Sequence, residues 1–421
     1  MKKKYDKWVL VIVILLILVG LMAVYSSTSV VSPDMIEKYR KRGLEVSQFA
    51  YIKKQLFTIL LGIIAMFIAF KVRLEHLKKM SIPLLVLSLI SLLLVFTPLG
   101  ITAGGARRWL RLWPSTFQPS ELVKLSMVIF LASYMSMKRF KKDSLVCFII
   151  PVVIIGCFQV IFLKQPDFGA VMSLSLLMLC MLFLSGMRLV YLLSLGLLGI
   201  PALIKLISEP YRWKRVTAFL DPWKDPQGAG FQLIQSFIAL GSGGFMGVGL
   251  GEGQQKLSFL PEVHTDFIFS LIGEELGFIG SIVVVSLFFV LFLRGVAIAR
   301  QTRDSFSYYL AFGISVMIAL QAIVNFAVVT GMVPTKGLPL PFISYGGSSL
   351  IVNMIAAGLL LNISSLKGQM INEYDGRRIE PGYPHIPESP PIARHSKWRR
   401  GYGYTLYNKK FPKNNELSGN K

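Results

Sequence analysis

Residues 8–24 read Trp8-Val9-Leu10-Val11-Ile12-Val13-Ile14-Leu15-Leu16-Ile17-Leu18-Val19-Gly20-Leu21-Met22-Ala23-Val24, an apolar run without a charge, preceded by Lys2, Lys3, Lys4 and Lys7. The run is longer than the apolar stretch of a secretory leader and no A-x-A-like site follows it, so it reads as an uncleaved first membrane helix. In hydrocarbon every backbone amide must find a partner within the chain, which leaves helices or closed barrels, and this run lacks the alternation of barrel strands. Comparable runs recur at about 55–70, 81–97, 121–137, 144–163, 168–186, 189–207, 267–293, 307–330 and 343–365. At about 20 residues per crossing, about ten spans consume roughly half the chain. The expectation is an all-α polytopic membrane protein of about ten transmembrane helices, with both termini on one side.

Composition agrees with that reading. Of 421 residues 53% are hydrophobic and 16% charged, and the mean hydropathy is +0.59. Such values exclude disordered, collagen-like and disulfide-scaffold classes. Cys147, Cys157 and Cys180 lie in apolar runs and lack metal-ligand spacing. The net charge of +23, from 45 basic and 22 acidic residues, would suit nucleic acid, but its placement favours a membrane. With the N-terminus cytoplasmic, the larger share of Lys and Arg falls on inner segments, as the positive-inside rule asks. Membrane lipids are therefore expected partners and nucleic acid is not. The outer excess, including Arg107, Arg108, Arg111, Arg212, Lys214, Arg215, Lys256 and Lys336, suits an anionic ligand held outside.

Two segments fall outside the spans. Residues 208–265 carry Pro210, Pro222, Pro226 and a glycine series from Gly241 to Gly253, and read as a large extracytoplasmic loop between helices 7 and 8. Residues 368–421 carry Pro381, Pro384, Pro387, Pro390 and Pro391 without apolar periodicity, and read as a disordered basic cytoplasmic tail behind a membrane domain of residues 1–367.

The densest polar cluster beside a span runs from Lys256 through Ser258, Pro261, Glu262, His264 and Thr265 to Asp266. Pro261 favours an extended turn, and Thr265 or Asp266 suits the cap of the helix that follows. Asp266 is then a candidate general base at the outer mouth of the eighth span, with His264 a competing one. A second cluster, Gly104-Gly105-Ala106-Arg107-Arg108-Trp109, leads through Gln118-Pro119-Ser120-Glu121 to Lys124. Glu121 and Lys124 share a helix face just inside a span, either as a neutralised pair or as sugar and phosphate ligands. Gln165-Pro166-Asp167 forms a short outer turn, and Glu274 and Glu275 lie in the eighth span, where burial demands partners or protonation. Phosphate-loop, serine-hydrolase, zinc-protease and C-x-x-C patterns do not occur.

Arg107-Arg108-Trp109, Gln118-Pro119-Ser120-Glu121-Leu122-Val123-Lys124, Gln165-Pro166-Asp167, Leu260-Pro261-Glu262-Val263-His264-Thr265-Asp266-Phe267 and Pro339-Leu340-Pro341-Phe342-Ile343-Ser344-Tyr345-Gly346-Gly347 together resemble the SEDS proteins of shape, elongation, division and sporulation. The likeness spans about residues 8–367. The stretch Thr330-Gly331-Met332-Val333-Pro334-Thr335-Lys336-Gly337 is more similar to the division and sporulation members than to the elongation member. Where members often carry a basic residue before the Gln-Pro motif, Thr116 and Phe117 stand here, which leaves the phosphate ligands open.

The resemblance implies a peptidoglycan glycosyltransferase of the bacterial cell membrane that polymerises lipid II at the division septum. It implies Asp266 as the essential carboxylate and a class B penicillin-binding transpeptidase, with other division proteins, as partners. Arg107, Arg108, Trp109, Gln118, Glu121, Lys124, Lys256, Glu262, His264 and Lys336 are then the expected substrate contacts. No cofactor is firmly indicated; a divalent cation, Mg or Mn, at the pyrophosphate is a candidate. A lipid II flippase and a noncatalytic scaffold are the competing functions.

Overall fold

The computed structural model describes residues 5–28, 48–103, 106–112, 115–208, 210–228, 230–255 and 264–376. Lys256 and Glu262 lie outside the described residues, as does the tail beyond 376. Met1–Glu373 forms one compact unit. In chain order the helices are α1 (Lys7–Thr28), α2 (Gln48–Lys71), α3 (Leu74–Lys79), α4 (Ser81–Leu94), α5 (Pro119–Met135), α6 (Leu145–Lys164), α7 (Phe168–Leu184), α8 (Leu189–Ile207), α9 (Pro210–Leu220), α10 (Phe231–Gly243), α11 (Ile268–Arg300), α12 (Ser305–Val329) and α13 (Gly347–Gly376).

Every apolar run of the sequence falls on one of these helices. In α1 the buried positions Val9, Ile12, Val13, Leu16, Gly20, Ala23 and Val24 recur at helical spacing, and the helix packs against α11. The opposite face is equally apolar: Trp8, Val11, Ile14, Leu18 and Met22 are exposed. The same holds for Leu60, Phe67 and Ile68 on α2 and for Val153 and Val160 on α6. A helix apolar on both faces but buried on one requires a lipid solvent on the other. Among the described residues, six helices are long and apolar enough to cross a membrane: α1, α2, α6, α11, α12 and the first part of α13. The chain is thus a multi-pass membrane protein. α4, α7 and the start of α8 are apolar but shorter.

The interior is built on α5 and α12, which pack closely on each other. α5 starts with Pro119 at its first turn, where a missing N–H costs nothing. It is buried on nearly every side, through Val123, Met127, Val128, Leu131 and Ala132. Between helices in lipid the drive is close packing rather than escape from water, and α5 fits that pattern by touching α4, α7 and α12.

The expectation of an all-α chain needs one correction. Between α4 and α5, strands β1 (Gly100–Ala103), β2 (Ala106–Leu112) and β3 (Ser115–Phe117) form an antiparallel meander in the order β1-β2-β3. Strands this short carry a pattern too brief to stand out among apolar runs, although Gly104-Gly105 is a composition favoured in two-residue hairpin links. The register slips between Ile101↔Trp109 and Thr102↔Arg107, so Arg108 is the extra residue of a bulge, a device that re-aims a side chain. The segment read as one long loop is also partly helical. It contains α9 and α10, and Ser236 of α10 donates to the Val329 carbonyl (2.7 Å).

α11 is broken at Gly277, whose φ of 66° and ψ of −163° suit glycine. A break inside a membrane span frees backbone groups that hydrocarbon cannot satisfy. The glycine-rich segment after α10 repairs it. The N–H groups of Val248 and Gly249 donate to the carbonyls of Glu274 and Glu275 (3.0 and 3.1 Å), and those of Phe278 and Ile279 donate to Gly244 and Phe245 (3.0 and 3.3 Å). The buried Glu274 carboxylate accepts from the Gln254 N–H (2.7 Å), and Glu275 accepts from the Ser26 hydroxyl of α1. Both acidic residues of the span have the partners that burial demands.

Candidate active site

The short turn His264–Phe267 enters α11, with Phe267 at the capping position instead of Thr265 or Asp266. What fixes this turn is its backbone. Three successive carbonyl oxygens are each held from elsewhere: His264 by the Tyr345 N–H (2.9 Å), Thr265 by the Ser344 hydroxyl (2.6 Å), and Asp266 by the Asn325 amide nitrogen (2.9 Å). Asn325, buried in α12, spends its amide nitrogen a second time on the Leu338 carbonyl (2.8 Å). One side chain therefore ties the Asp266 turn to the loop 331–346 that carries Lys336. Ser344 braces that loop from within by accepting from the Leu340 N–H (2.8 Å).

The consequence is that Gly337 of this loop packs against the Asp266 carboxylate. A Cβ added at Gly337 would lie 2.8 Å from the Asp266 carboxylate oxygen Oδ2, so only glycine leaves that carboxylate its place. Lys336 is the preceding residue, and Asp266 and Lys336 are both half-buried. Burial pushes the Lys336 ammonium down to about 8, against the opposing pull of Asp167. Asp167 caps α7 by accepting from the Ala170 N–H (3.1 Å). Arg108, on its bulge, reaches the same turn, donating from Nε to the Gln165 carbonyl (3.4 Å) and from its terminal nitrogen to the Pro166 carbonyl. Gln165 is itself anchored on the Leu92 carbonyl (2.9 Å). Asp266 thus packs against Gly337, Lys336 beside it feels Asp167, and Arg108 holds the Gln165-Pro166 turn that precedes Asp167.

Other expected site residues fall elsewhere. Arg107 turns back to the Thr97 carbonyl, and its Nε lies buried against Gly100. It serves the hairpin. Trp109 pairs with Ile101 in the sheet. The Gln118 N–H donates to the Ser348 hydroxyl (2.9 Å), which joins the start of α5 to that of α13. Glu121 and Lys124 form a closed pair (2.8 Å) with side chains 2% and 5% exposed. Glu121 Oε2 has no partner among the described residues. The His264 ring sits edge-on to Tyr51 and Tyr345, with centroids 6.0 and 5.7 Å away.

Asn325 and Ser344 were the residues that sequence reasoning missed as site residues. The available signal was an amide inside an apolar span, which is costly in lipid unless it has a task. Replacing Asn325 by Leu, similar in volume but without donors, leaves two carbonyls unpaired at a cost of about 1–3 kcal/mol each. The expected result is at least tenfold lower turnover with unchanged assembly into the membrane, checked by kinetics and size-exclusion profiles.

Fold and site together define a polytopic helical membrane protein in which a half-buried carboxylate packs against the loop that carries a half-buried lysine. The family model described as cell cycle protein, covering FtsW, RodA and SpoVE, matches residues 6–369, and the chain belongs to that family. It is 44% identical over 364 residues to a probable peptidoglycan glycosyltransferase FtsW of Geobacter sp. (strain M18), covering 86% of this chain and 97% of that one. It is 39% identical over 367 residues to stage V sporulation protein E of Bacillus subtilis (strain 168), covering 86% and 98%. Among solved structures, a chain of "Structural coordination of polymerization and crosslinking by a peptidoglycan synthase complex" superposes with a TM-score of 0.69 at 30% identity, covering 87% of this chain and 99% of that one. The resemblance read from the motifs, including its leaning to the division and sporulation branch, is borne out.

Proposed function

We propose that this chain is a peptidoglycan glycosyltransferase that joins lipid-linked disaccharides, lipid II, into glycan strands for septal wall synthesis. The observation that carries the reading is the contact of the Asp266 carboxylate with Gly337, beside Lys336. Asp266 takes the proton of the acceptor sugar's C4 hydroxyl as that oxygen forms a bond to the donor's anomeric carbon. The bond from that carbon to the pyrophosphate oxygen breaks, polyprenyl pyrophosphate leaves, and the α linkage becomes β in one displacement. A single base suffices, unlike the paired carboxylates of glycoside hydrolysis. The leaving pyrophosphate gains charge, which Lys336 and Arg108 neutralise where water is scarce.

No cluster of three or more His, Cys, Asp or Glu side chains occurs among the described residues. The donor set available to a divalent cation is therefore Asp266 or Asp167 together with the substrate's own phosphate oxygens, an arrangement suited to Mg²⁺ or Mn²⁺. Such an ion would supply charge neutralisation at the pyrophosphate. The reading further includes ten spans, cytoplasmic termini, a septal location, and a class B penicillin-binding transpeptidase with other division proteins as partners. The relative solved as part of a peptidoglycan synthase complex supports that partnership.

The test is polymer formation from purified lipid II by the full chain reconstituted with its transpeptidase, in parallel with lipid II translocation in proteoliposomes. Polymer is the expected product. Translocation without polymer would establish a flippase, and recruitment of the transpeptidase with neither activity would establish a scaffold.

A further inference from the structure

The end of the bundle remote from Asp266 holds a cavity lined in part by charged side chains. α5 begins near the candidate site at Gln118 and ends at Met135, while α12 runs the other way, from Ser305 to the Asn325 brace. Where α5 and α7 end and α6 and α12 begin, a cavity of about 600 Å³ is lined by Lys141, Lys142, Asp143, Ser144, Ser185 and Tyr309, among others. The charges around it do not cancel. Asp143 is matched by Arg188, whose Nε lies 2.8 Å from Oδ1, while no ion pair engages Lys141 or Lys142 among the described residues. Two exposed lysines without an ion-pair partner among the described residues and a half-buried tyrosine therefore line this open hollow.

The surroundings decide what kind of anion fits. Leu145 and Val146 at the start of α6, Phe183 at the end of α7 and Val190 at the start of α8 are 52%, 65%, 66% and 70% exposed. α6 is itself one of the helices long and apolar enough to cross a membrane. The basic cavity thus opens at the margin of a lipid-facing surface, where a phosphate can sit on the lysines while its alkyl chains run along α6 and α7. Basic pockets between membrane helices hold anionic headgroups by this combination of charge and apolar walls. A zwitterionic headgroup fits less well, because its own cation meets Lys141 and Lys142.

The geometry points to a binding site for an anionic phospholipid, in which Lys141 and Lys142 hold the phosphodiester. The site is independent of the glycosyltransferase reading. The test uses the full chain purified in detergent, with bound lipid counted by native mass spectrometry after titration with phosphatidylglycerol or phosphatidylcholine. Wild type is expected to retain phosphatidylglycerol in preference, and Lys141→Gln with Lys142→Gln to reduce that retention by about ten- to thirtyfold, the scale of two lysines at an anionic surface. Lys138→Gln with Arg139→Gln removes the same charge from the same loop outside the cavity and is expected to change retention less than about twofold. Inorganic phosphate at about 10 mM is expected not to displace the lipid, since it lacks the chains that α6 and α7 receive. Equal loss in both double variants would reduce the effect to bulk charge. Undiminished retention in the cavity variant, equal retention of both lipids, or displacement by phosphate alone would each overturn the proposal.

Discussion

Asp266→Asn lowers glycan polymerisation by about 10²- to 10⁴-fold, the range that one general base contributes, while leaving the protein folded and partner-bound. Asparagine keeps the size and planarity of the carboxylate and loses only its capacity to take a proton at neutral pH. The backbone of the turn does not depend on that side chain, because the carbonyls of His264, Thr265 and Asp266 are held by Tyr345, Ser344 and Asn325. A scaffold role predicts no polymer from either wild type or variant, and a structural role predicts a lower melting temperature. Loss of turnover at constant stability is the outcome that a base predicts and that neither of those roles does. A companion variant, Gly337→Ala, keeps the carboxylate but places a methyl group about 2.8 Å from its oxygen, and is expected to cost about tenfold in turnover by displacing the reacting atom. If Asp266→Asn makes polymer at the wild-type rate, the assignment of the base is wrong.

The parts of this site differ in how plainly the chain announces them. Asp266 and Lys336 stand beside long apolar runs, where each charge is costly enough to imply a purpose, and both were legible. The packing of the Asp266 turn on the loop that carries Lys336 was not, because it depends on Asn325, 59 positions from Asp266 in the chain, and on Gly337 yielding space that periodicity cannot show. Helices were legible for a similar reason: the runs at α1, α6 and α12 exceed what any buried strand needs. The meander of β1 to β3 was hidden by its brevity, and the bulge at Arg108 by the fact that a one-residue slip leaves no mark in composition. Gly277 was hidden as well, since glycine is common in membrane helices and only its φ reveals the break. Arg107 and Arg108 are adjacent and chemically equal, yet one serves the hairpin and the other the Gln165-Pro166 turn. Local geometry alone separates them.

Lys336→Ala is expected to lower kcat/KM for the lipid-linked donor by about 10- to 100-fold, as loss of a hydrogen bond to a charged group implies, with membrane expression little changed. The pH profile carries the sharper test. With its ammonium at about 8 in the folded chain against 10.5 ordinarily, Lys336 is charged below that point and loses its proton as pH rises through it. Donor affinity therefore falls above about pH 8 in the wild type. Lys336→Arg, whose guanidinium stays charged throughout, removes that limb even where its geometry lowers the plateau. Stability moves the other way. Between about 8 and 10.5 the unfolded chain binds the proton that the folded chain has released, so this group's contribution to stability rises with pH across the window. Alkaline unfolding would lower activity and melting temperature together, and would do so equally in Lys336→Arg. A fall in donor affinity that accompanies steady or rising thermal stability, and that the arginine variant lacks, is the outcome expected if the Lys336 charge holds the pyrophosphate.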